Sequence, residues 1–89
     1  MIVVKELQTL EDFKNLKKGD SVACEFHRNI HDYPKTYRFG IFKIFMNKDS
    51  HKEIILQKKN NIYFNYEMFV MNSERSNLKS ILLIQSDEN

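Results

Sequence analysis

The sequence predicts a mainly β domain with one N-terminal helix (an α+β chain): a five-stranded antiparallel small barrel over residues 20–84, capped by a helix over residues 9–17. Two periodicities carry this reading. Leu7, Leu10, Phe13 and Leu16 recur every three residues, whereas from Asp20 onward apolar residues alternate with polar ones in short runs separated by polar turns. A third observation favours curling. Both alternating faces of the two longest runs are apolar, so a flat sheet would leave much of that area in water. The alternative architecture is an open antiparallel sheet with the helix across one face. Eighty-nine residues suit a single domain spanning 1–89, with residues 85–89 as a frayed tail.

Each element has its own local reason. Ile2-Val3-Val4 reads as a short edge strand or as a staple for the helix that follows. Thr9 with Asp12 three residues later forms a capping-box pattern. Glu11 and Asp12 in the first turn and Lys17 and Lys18 at the end suit the helix dipole, and Gly19 is placed to stop the helix. In residues 21–28, Val22, Cys24 and Phe26 share one face and Glu25 and His27 the other, the pattern of a half-buried strand. Residues 29–36 include Pro34 and read as a loop. Residues 37–46 form a long aromatic strand, with a bulge or bend expected at Gly40. Residues 47–50 form a turn, 53–58 a strand around Ile54-Ile55-Leu56, 62–71 a strand with Ile62, Phe64, Tyr66 and Met68 on one face, and 78–84 the last strand.

The Lys17-Lys18-Gly19-Asp20 entry into the first long strand, Gly40 within the second, and the order of one helix followed by five strands resemble the SH3-like small barrels, including their Sm-like branch. The resemblance is architectural. Residues 72–77 contain no glycine where the Sm-like pattern has one, so no uridine pocket carries over onto named residues.

Most catalytic chemistry lacks its residues. The two glycines lie 21 positions apart, which excludes a P-loop and a dinucleotide fingerprint. His27 and His31 are four apart but fall at a strand end and in a loop, where helical metal-binding spacing does not apply. Cys24 lies on the apolar face of its strand, as a small buried residue and not a nucleophile. The carboxylates are scattered over separate elements. The chain therefore reads as a non-enzyme with no catalytic residues, no metal and no cofactor. One cysteine forms no internal disulfide, and the longest apolar run, Ile81 to Ile84, is far short of a bilayer span; with no basic leader, a cytoplasmic protein that avoids membranes is expected. Richness in Lys, Asn and Ile, with little Ala, Gly or Pro, mirrors AT-rich codons and suits an accessory, adaptor or inhibitor protein of an AT-rich bacterium or phage.

Two surface features remain. The first is apolar excess on the two longest runs, which marks Tyr63, Phe69, Met71, Phe42 and Met46 as candidates for a protein interface and points to a homo-oligomer or to docking on a larger protein. The second is uneven charge. The overall +2 divides into −1 over residues 1–26, +5 over 27–60 and −2 over 61–89. Arg28, Lys35, Tyr37, Arg38, Lys58 and Lys59 are thus candidates for single-stranded nucleic acid, above all RNA, because cations follow a backbone and rings stack on bases. Capture of a small anionic ligand by an oligomer is a third reading of the same cations.

Overall fold

The computed structural model describes residues 2–32 and 34–86. Tyr33, one of the rings interleaved with the basic residues, lies outside them, as do Met1 and residues 87–89 of the expected tail.

Strand β1 (Ile2–Glu6) precedes helix α1 (Leu10–Lys14), so the helix is not the first element. The strand alternative for Ile2-Val3-Val4 is the one adopted: β1 pairs antiparallel with β6 (Leu78–Ser86), Val4 opposite Ile84. Gln85 and Ser86 belong to this ladder and are not a frayed tail. The sheet has six strands where five were expected. With β2 (Ser21–Asp32), β3 (Lys35–Lys48), β4 (Glu53–Gln57) and β5 (Ile62–Asn65), the order is β1-β6-β2-β3-β4-β5. The antiparallel sheet curls into a half-barrel with two free edges, β1 and β5.

At α1, Thr9 Oγ1 accepts from the Asp12 N–H, and the Asp12 carboxylate accepts from the Thr9 and Gln8 N–H groups. This is the expected capping box. The helix stops at Lys14, short of Lys17. Its last turn is tied down from outside, because Asn47 Nδ2 donates to the carbonyls of Phe13 at 2.8 Å and Leu16 at 3.1 Å. Gly19 adopts φ +94° in the turn into β2, where its N–H donates to the Ile44 carbonyl. Only glycine takes that conformation without strain.

The first hairpin is longer than its composition suggests. The expected 29–36 loop shrinks to a tip between Asp32 and Lys35, because β2 and β3 resume pairing at Ile30 opposite Tyr37 after an irregularity that follows Glu25. Asn77 supports the irregular stretch: its backbone carbonyl accepts from the His27 N–H, and its side chain exchanges hydrogen bonds with the Arg28 N–H and carbonyl. Gly40 is not a bulge. It pairs in register with Cys24, and the Phe42 ring lies over it. The bulge comes later, at Phe45, between the Ile44–Leu56 and Met46–Ile55 pairs. A 3₁₀ turn, Asp49–His51, then leads to β4, and Lys52 is left-handed at φ 53°.

The largest departure is the 62–71 run. It leaves the sheet after Asn65 and forms helix α2 (Tyr66–Val70). Asn65 Oδ1 accepts from the Met68 N–H, so the strand ends on a helix cap that the alternation conceals. The turn of helix sends Tyr66, Phe69 and Val70 toward the core, which lies on the concave side of the sheet with Phe13 at its centre. The Phe13 ring stacks on Tyr66 at 5.2 Å and meets Phe64 and Phe69 edge-on at 6.4 and 5.7 Å. Such aromatic contacts each contribute about 0.5–1.5 kcal/mol beyond burial.

Candidate functional site

Residues directly opposite on paired strands share a face of the sheet. Val22, Cys24, Phe42, Ile44, Ile54, Leu56 and Ile81 all turn inward and are buried. The outward row follows from the same registers. Leu82, Ala23 and Ile41 lie side by side across β6, β2 and β3, with Val4–Ile84 on one flank and Phe39, opposite Glu25, on the other. Toward the β5 edge, beyond the outward Lys43–Gln57 pair, Met46, Ile55 and Tyr63 form a second apolar patch.

Among the described residues no helix covers this face: both helices pack on the concave side. Phe39 is 61% exposed, Ile41 65% and Tyr63 59%. Ala23 and Ile55 are buried yet stand apart from the core cluster, because their outward neighbours close over them. The outer face therefore carries two apolar patches, Leu82–Ala23–Ile41 and Met46–Ile55–Tyr63, with the outward Lys43–Gln57 pair between them.

The five interface candidates part company here. Tyr63 and Met46 are on the outer face, Met46 because the Phe45 bulge reverses the alternation behind Ile44. Met71 is 73% exposed but caps the C-terminus of α2, away from the sheet. Phe42 is not a surface residue. It is 3% exposed and packs edge-on against Phe26 at 6.0 Å. Phe69 is half-buried against Phe13. Phe39, Ile41 and Val4 carry the exposed area instead. The sequence signal for the first two was their place opposite Phe42 and Ile44; the face that would be inward depended on cross-strand partners.

The basic candidates gather near the first hairpin and the β4–β5 turn, where Asn60 Nδ2 donates to Asp32 Oδ1 at 2.9 Å. Lys58 Nζ lies 5.1 Å from the centroid of the Tyr37 ring and 5.5 Å from that of Phe42. Tyr37 is half-buried beneath it, and its hydroxyl is pushed toward higher pKa by burial and by Asp32. Arg38 donates to the His27 carbonyl at 2.7 Å. Arg28, Lys35 and Lys59 are exposed. The rings nearest the cations are thus covered, while the open rings, Phe39 and Tyr63, lie on the outer face. A base-stacking surface needs both kinds of group together.

A cleft of about 260 Å³ opens along β5. One wall is β5 itself, the other is residues 75–78, and Phe26, Ile30 and Met68 line the remainder. Arg75 was not singled out in the sequence, where its loop offers no pattern. Cys24 is fully buried, and desolvation pushes its thiol up to about 12. Among the described residues, no three His, Cys, Asp or Glu side chains gather to hold a metal, and no helix is long and apolar enough to cross a membrane.

Comparison with protein-family models, with curated proteins and with solved structures found no match.

Proposed function

We propose that this chain is a non-enzymatic protein-interaction module that self-associates by pairing its outer sheet face with that of a second copy. The observation that carries the reading is the uncovered apolar row Leu82–Ala23–Ile41 with Phe39 and Val4 at its flanks. The molecule's two longer extents, 38 and 29 Å, leave room for the roughly 800 Å² per partner of a standard interface.

Charge favours a second copy as the occupant. Glu25, 3.5 Å from Lys79, lies at one end of the Ala23–Ile41 pair, and Lys43 at the other has no ion-pair partner among the described residues. A two-fold axis running across the strands reverses their direction. It brings Lys43 of the second copy to the end of the row where Glu25 pairs with Phe39, and sets apolar row against apolar row, the self-complementarity that an isologous interface requires. The likeness of the curled β2–β5 meander to SH3-like barrels belongs to the same proposal.

The test is light scattering over a range of concentrations, with a species of twice the 10.7 kDa chain mass expected. A monomer at millimolar concentration would refute self-association; capture of a larger protein through Phe39 and Ile41 would replace it with docking. Salt-dependent binding of an RNA oligonucleotide, weakened when Arg38, Lys58 and Lys59 become Ala, would replace it with the nucleic-acid reading.

A further inference from the structure

We infer that the cleft along β5 is a second binding site, one that takes an extended acidic peptide of another protein as an added strand. Four consecutive residues of β5, Ile62–Asn65, line the cleft, so it borders both alternating sets of positions on the strand. A wall of that kind is the edge of the strand. β5 is the last strand of the sheet, so one side of it has no neighbouring strand to satisfy its N–H and C=O groups. A peptide laid against that edge would gain main-chain hydrogen bonds and bury alternate side chains.

The apolar part of the cleft sets the inward side chains of the peptide. Phe26 and Met68 lie behind the strand edge with Ile30 and Leu78, offering space for aliphatic residues at alternate positions. Met68 adds a side chain that adapts to several shapes. Charge sets the outward side. Arg75 lines the cleft, Arg28 is anchored to the neighbouring Asn77 through its backbone, and Lys58 and Lys59 lie just ahead of β5. None of these four cations makes an ion pair among the described residues. Acids are present as well: Glu67 and Glu74 lie near the cleft in sequence, and Asp32 is held by Asn60. Among the described residues, Arg75 is the charged side chain that lines the cleft and no carboxylate lines it, which favours an acidic strand over a basic one and a peptide over a neutral apolar ligand.

This site shares Tyr63 with the outer face but lies apart from the Leu82–Ala23–Ile41 row, and it does not depend on self-association. The probe is a fluorescein-labelled hexapeptide alternating glutamate with valine, followed by fluorescence anisotropy; its lysine–valine counterpart is the control. Saturable binding of the acidic peptide, at least tenfold weaker for Arg75→Glu and for a peptide methylated on its backbone nitrogens, is expected. Arg75 is exposed, so circular dichroism should show that variant folded. In the unaltered protein, amide NMR shifts should centre on residues 62–65. No binding at millimolar peptide, equal binding of the lysine–valine peptide, or shifts confined to Phe39 and Ile41 would overturn the inference. So would an RNA oligonucleotide binding at residues 62–65 while the acidic peptide does not.

Discussion

At Gly40, a β-carbon would stand 2.9 Å from Cζ of Phe42, a ring held between Phe26 and Tyr37. Gly40→Ala must therefore displace a packed aromatic, and urea unfolding should show a loss of about 1–3 kcal/mol. Asp12 makes a different kind of residue-scale argument. The Gln8 N–H, Lys5 and the Thr9 N–H together hold its carboxyl well below the ordinary 3.8. A depressed folded-state value means that stabilisation is complete above the unfolded-state value and is lost as pH falls through the folded one. Stability should thus stay level from pH 7 to about 5 and decline below about pH 4, and Asp12→Asn should flatten that decline in acid titrations followed by circular dichroism. The capping pair was legible in the sequence because its partners are three residues apart. The crowding at Gly40 was not, since a glycine in a strand reads equally well as a bulge or as a seat for a neighbouring ring.

Among the elements, α1 shows how a helix of five residues is kept. So short a helix is unstable alone, and its support is tertiary. Asn47 on β3 donates to the Phe13 carbonyl in its last turn and to the Leu16 carbonyl just beyond it, and Phe13 anchors it in the aromatic cluster. Asn47→Ala should leave both carbonyls without that partner in a half-buried setting and cost about 1–3 kcal/mol by urea unfolding. α2 makes the opposite point. Its sequence alternates like a strand, yet Asn65 caps the Met68 N–H and Tyr66 Oη donates to Asp49 Oδ1 at 2.6 Å, so the helical turn satisfies polar groups and buries Tyr66 together. Burial and that bond raise the Tyr66 hydroxyl to about 12. Period alone chose a strand here because a five-residue helix is too short to establish its own repeat.

For the whole molecule, the decisive question is what covers the convex side of the half-barrel. Ile41 lies near the middle of the outer row, 65% exposed and outside the core cluster, so Ile41→Glu should fold with an unchanged circular dichroism spectrum. If the outer faces pair as proposed, light scattering should find the unaltered chain as a dimer and this variant as a monomer. A residue of the core, such as Ile44, could not separate the two effects. The basic middle third behaves differently from its composition: the covered rings beside Lys58 and the open rings at Phe39 and Tyr63 occupy separate places.

By itself, the sequence determined the mainly β class, the capping box at Thr9, the inward face of Val22, Cys24 and Phe26, and the surplus of apolar residues on both faces of the long β3 strand. These follow from local spacing and from side-chain hydrophobicity, which are properties of neighbours along the chain. Only the tertiary structure decided the sixth strand, the turn of helix at Tyr66, the bulge that sends Met46 outward, and the choice of Ile41 and Phe39 as the exposed row. Each depends on a partner far away in sequence: β6 for β1, Asp49 and Phe13 for Tyr66, β4 for the bulge, and Ala23 and Glu25 for the outer row. An alternating strand states that it has two faces, and the strands that pair with it determine which one meets water.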